Sequence, residues 1–182
     1  ESPYEALRKA LSMARGEYII QSFTSEGFLY KDWFKTCVEI LDSDNEVSLV
    51  WGLPQYITEE GILGKISDVE LLAELPPQKK YFIAYWLNTG ALMHEINQCI
   101  RKEVFDICFP KDTTKGNIAH RSAHFDMAYN FNTRGYLPYF IPVIANFGRT
   151  HKDALGQRYI ERDGAIIKRY LQEVNNYRKK LF

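Results

Sequence analysis

The chain has 182 residues, 46% of them apolar, which suits one domain with a substantial core and excludes a disordered polymer. Formal charge is zero, from 23 acidic and 23 basic side chains, so no global field directs the molecule to a polyanion. No apolar run reaches transmembrane length, which argues against a membrane partner.

The local balance is uneven. Between Glu39 and Leu75 nine acids face one base, a net of −8; between Arg149 and Phe182 nine bases face four acids, a net of +5. Such asymmetry predicts regions that complement one another within the fold or in an assembly. Three cysteines cannot all pair in one chain, and no C-x-x-C spacing occurs. Buried thiols in a reducing, intracellular (cytoplasmic) compartment are therefore expected. The chain opens on Glu1 without Met, so a processed or excised piece of a longer chain is expected.

In chain order, Ser2-Pro3-Tyr4-Glu5 reads as a capping box, and Tyr4, Leu7, Leu11, Ala14 and Tyr18 carry a helix toward Phe23. A second helix is expected over 28–41, followed by the turn residues Asp42 to Asn45. The alternating segment 46–51 is the best strand, with no convincing partner elsewhere. Residues 58–63 suit a turn or two of helix, and Ser67 to Glu70 open a short helix that Pro76-Pro77 closes.

The longest periodic stretch is 78–109. Phe82, Trp86, Met93, Ile96, Ile100, Val104 and Ile107 fall on one line at about 100° per residue, and prolines at 77 and 110 bound it. It reads as a central helix. On that helix Cys99 and Cys108 lie on opposite sides and cannot bridge. Residues 111–117 read as a polar loop and 118–131 as a helix with two apolar stripes. Within 136–148, Pro138 and Pro142 predict an extended segment and then a short helix. A last helix is expected over 157–180, with Ile160, Ile167, Leu171, Val174 and Leu181 in heptad fashion. The predicted fold is mostly α: one compact domain, residues 1–182, of five to seven helices around 78–109, with at most a minor strand near 46–51.

Few residues carry chemistry. His120 and His124, at i and i+4, share a helix face, a workable spacing for two ligands of a divalent metal or for acid–base work. Third ligands would come from His94, Glu95 or His151. His94-Glu95-Ile96-Asn97-Gln98 fails the HExxH zinc pattern at Gln98. A nuclease-like cation a few residues before a histidine has its nearest match in Lys115 and His120, where Lys lacks the planar fork of Arg. Arg158, Arg162, Lys168, Arg169, Lys179 and Lys180 on the last helix could contact phosphates or a partner.

The leading expectation is an intracellular interaction or assembly domain. It would be non-enzymatic and bind a protein partner or itself through aromatic and charged surfaces. The alternative is a histidine-dependent hydrolase, metal-assisted or nuclease-like, centred on His120 and His124. A second alternative is nucleic-acid binding through the basic C-terminal helix.

Overall fold

A computed structural model describes residues 3–22, 26–93, 97–110, 119–149 and 160–182, without side chains at 3–4, 119–122 and 160–163. The helices are α1 (Pro3–Met13), α2 (Trp33–Ser43), α3 (Phe82–Thr89), α4 (Lys102–Cys108), α5 (Ala119–Thr133) and α6 (Ile160–Leu181). Six strands accompany them: β1 (Tyr18–Ile20), β2 (Glu26–Phe28), β3 (Val47–Ile57), β4 (Leu63–Ile66), β5 (Gln98–Arg101) and β6 (Leu137–Arg149). They form one mixed sheet in the order β1-β5-β3-β6-β2, with β4 added to β3; the β3–β6 pair is parallel and the others antiparallel.

The all-α expectation is therefore wrong, and each error has a local cause. The segment 78–109 is not one helix. It opens on a 3-10 turn (Lys79–Tyr81), and α3 ends after eight residues at Gly90, whose φ of +66° is the left-handed cap that glycine adopts without a steric cost. Gln98–Arg101 then becomes a strand between β1 and β3. Cys99 and Ile100 are both buried, on opposite faces, so a doubly covered strand imitates the buried stripe of a helix. Residues 94–96, including Ile96, lie outside the described residues.

The minor strand is likewise a central one. β3 continues through Gly52 and Pro54 for eleven residues, and its long partner β6 lies some 90 positions away, beyond the reach of local periodicity. Gly52 suits a tight place: a Cβ there would stand 3.0 Å from the Val143 carbonyl and 3.3 Å from the Trp33 ring. Pro142 stays extended instead of starting a helix. Trp51 pairs with Phe140 but Leu53 with Ile144, so the exposed Pro142 falls in a bulge where no ladder partner is needed. Residues 58–63 form the β3–β4 hairpin turn and not a helix, and 67–76 contains only a 3-10 turn, Val69–Leu72. The first helix ends at Met13, leaving Tyr18–Ile20 to the sheet.

The sheet is covered on both sides. α2 packs Trp33, Cys37 and Leu41 on Val47, Val50, Cys99 and Ala145. On the other face Leu49, Trp51, Leu53, Ile100 and Phe140 meet side chains of α3, α4, α5 and α6. Within this larger core, Trp86 Nε1 donates to the Tyr170 hydroxyl at 2.7 Å, joining α3 to α6. Arg101, at the end of β5, crosses to the α2 side. It donates to the carbonyls of Leu41 and Asp44 at the C-terminal end of α2 and, at 2.9 Å, to the Val47 carbonyl. The last turn of α2 holds no basic residue of its own, so Arg101 supplies the cation that this helix end favours.

Candidate functional site

α5 is continuous, so its backbone places His120 and His124 one turn apart as expected. The His124 ring is half-buried and lies 4.3 Å from the ring of Phe125. The His120 side chain, and His94, Glu95 and His151, lie outside the described residues. Among the described residues no three His, Cys, Asp or Glu side chains converge as a metal site would require. Asp126, on the same helix, is instead an ion-pair partner: Arg169 Nη2 stands 2.7 Å from its carboxylate.

α6 departs from its heptad reading. Among its described side chains the buried positions are Val174, which the heptad included, with Ile166 and Tyr170, whereas Ile167 and Leu171 are 43% and 44% exposed and Leu181 51%. One strip, spanning about 120° on a regular helix, therefore carries Ile167, Leu171, Lys168, Arg178 and Lys179, with Lys180 and Leu181 at its end. Arg169 belongs elsewhere: besides Asp126 it meets Glu173 at 3.6 Å. Arg158 is outside the described residues, as is the side chain of Arg162. The ion pairs of α6 among the described residues thus stay with α5 and α6 and do not reach the acidic 39–75 region. In that region, Asp44 pairs with Lys79.

The acidic region has its own exposed apolar side chains. Leu71 anchors the 3-10 turn in the core beside Tyr85 of α3, while Val69, Leu72 and Leu75 are exposed among Glu70 and Glu74. The Tyr85 hydroxyl is pushed up by burial first and then by the carboxylates of Asp68, Glu70 and Glu74, which places those charges near α3. At the other end of α3, Gly90 lies against Leu171. α3 thus neighbours the acidic apolar segment at Tyr85 and the basic apolar strip of α6 at Trp86 and Gly90, about 100–140° further round the helix.

A second feature is buried. Trp51 pairs with Gln98 across β3 and β5, and continuing the β1–β5 register brings Gln21 opposite Gln98 on the same face. Trp51 Nε1, Gln98 Oε1 and Gln21 Oε1 are all buried without a hydrogen-bond partner among the described residues, and on the α2 face Trp33 Nε1 and Asn97 Oδ1 are too. Sequence reasoning missed this row. Its members are unremarkable apart, and only strand register assembles them. A shallow groove of about 210 Å³ lies between α1 and α4, lined by Arg8, Leu11, Ser12, Asp106 and Phe109.

All three thiols are buried, as expected, and Cys37 and Cys99 meet between α2 and β5. The Cys37 thiol is pushed far up by its hydrogen bond to Cys99 and by burial; burial takes Cys108 up to about 12 and pushes Tyr170 up as well. Free thiols ionise near pH 8.5 and phenols near 10, so the unfolded chain releases protons that the folded one keeps. Their contribution to stability is complete below about pH 8.5 and is lost as pH rises above it. The melting temperature is expected to fall steadily between pH 8.5 and 10.5, with native thiols unreactive toward aromatic disulfide reagents. A flat profile over that range would contradict the buried placement.

No protein-family description matches the chain, and no curated protein resembles it. No helix among the described residues is long and apolar enough to cross a membrane.

Proposed function

We propose that the chain is a non-enzymatic interaction or assembly domain that docks through the face carrying α3, the outer strip of α6 and the acidic 68–75 segment. The observation behind this reading is the exposure of Ile167 and Leu171 beside Lys168, Arg178 and Lys179. Half-exposed apolar side chains among charges that make no ion pair with another described residue are what a docking surface needs. The test is Ile167→Ser with Leu171→Ser. Surface positions of this kind change stability by about 0.5 kcal/mol or less, so the double variant should melt as the parent does while losing zero-length crosslinking to its partner in cells. A drop in melting typical of a core change would make the strip structural and end the proposal.

The basic strip also defines what nucleic acid should do. With Arg169 held by Asp126 and Glu173 and the chain neutral overall, the exposed cations left on α6 among the described residues to displace counterions are Lys168, Arg178, Lys179 and Lys180. Fluorescence anisotropy should give a Kd for single-stranded RNA or DNA weaker than about 10 µM near 0.15 M salt. Tighter binding, abolished by Lys168→Glu with Lys179→Glu, would favour the nucleic-acid alternative.

A further inference from the structure

We propose that the partner for this face is a second copy of the same chain, related by a two-fold axis near α3. The inference rests on the interaction reading and adds the identity of the partner. Charge is its first support. Residues 68–75 carry Asp68, Glu70 and Glu74 and no base, for a net of −3. Residues 164–182 carry Lys168, Arg169, Arg178, Lys179 and Lys180 against Glu173, for a net of +4. Both regions neighbour α3, about 100–140° apart around it: Leu71 and Tyr85 belong to the same core, with Asp68, Glu70 and Glu74 near Tyr85, and Gly90 and Trp86 meet Leu171 and Tyr170. Yet Arg169, the cation of α6 that is paired among the described residues, turns to α5 and α6, and Lys168, Arg178 and Lys179 are exposed.

A face with acid on one flank of an axis and base on the other is self-complementary under a two-fold rotation, because each flank then meets its opposite on the other copy. Both flanks bring apolar groups to be covered, Val69, Leu72 and Leu75 on one and Ile167 and Leu171 on the other. A 22-residue helix is about 33 Å long, enough to span the ~800 Å² per copy that a stable pair buries. Each apolar group would meet an apolar group across the axis, with the charges arranged around them as a rim.

Sedimentation equilibrium on the whole chain tests this. A dimer is expected at low salt, weakening as salt rises. Lys168→Glu with Arg178→Glu and Lys179→Glu should raise the dissociation constant about a hundredfold, and Glu70→Lys with Glu74→Lys should do the same. The decisive arm mixes the two variants. Each reversed flank then faces a reversed flank of opposite sign, so the mixture should form dimers that neither variant forms alone, and nothing larger. Melting curves of both variants should match the parent, which separates lost association from lost folding. A chain that stays monomeric at about 100 µM and low salt overturns the two-fold proposal and leaves the face to a foreign partner. Dimers indifferent to both reversals, or assemblies that grow past two copies, overturn it as well. The Ile167 and Leu171 double variant decides the underlying interaction reading separately, because it asks whether the strip serves the fold.

Discussion

Replacing Arg101 by methionine is expected to lower stability by about 2–4 kcal/mol, since hydrogen bonds from a charged donor contribute roughly 1.5–3 kcal/mol each. The guanidinium holds three carbonyls from two elements: Leu41 and Asp44 at the end of α2, and Val47 at the start of β3. Methionine preserves most of the packed stem, so the loss would report the polar contacts. Lysine should rescue little, because an ammonium cannot present donors in the planar fork that reaches all three. Urea unfolding of the two variants measures this. Methionine and lysine variants both within about 0.5 kcal/mol of the parent would show that the α2 end is held by other contacts.

Truncating Trp86 to alanine should cost about 3–5 kcal/mol, the range for a large aromatic removed from a packed core. Trp86 is fully buried, joins α3 to α6 through the Tyr170 hydroxyl, and stacks edgewise on Tyr129 at 6.1 Å. Two milder changes separate packing from hydrogen bonding. Tyr170→Phe leaves the Trp86 N–H buried and unsatisfied, at about 1–3 kcal/mol. Trp51→Phe removes an N–H that has no partner among the described residues and should cost less per atom removed. If Trp51→Phe proves as damaging per atom removed as Tyr170→Phe in thermal melts, Trp51 Nε1 is hydrogen-bonded after all, most simply through a water shared with Gln98 and Gln21.

Much of the local structure was legible in the residues. The helices at 3–13, 33–43, 119–133 and 160–181 all overlap stretches predicted to be helical, because an amphipathic stripe is written within one segment. The burial of the thiols was expected from their number and spacing. On the candidate site, the sequence by itself determined the imbalance of charge between 39–75 and the C-terminal region, and the i, i+4 placement of His120 and His124.

Tertiary structure decided the rest. Whether 98–101 continues a helix or enters a sheet depends on β1 and β3, which lie about 80 and 50 positions upstream and carry no mark of that pairing in their own periodicity. A strand covered on both faces shows no alternation, so Ile100 matched a helical stripe by coincidence while its neighbour Cys99 is buried on the other face. The same limit applies to α6. Heptad spacing named Ile167, Leu171 and Val174 as core, but which side of an amphipathic helix is buried depends on where α3 and α5 sit, and they kept Val174 and chose Ile166 and Tyr170 beside it. Residue spacing fixes which side chains share a face; only the packing of distant segments fixes which face meets water, and here that choice left an apolar and charged strip exposed.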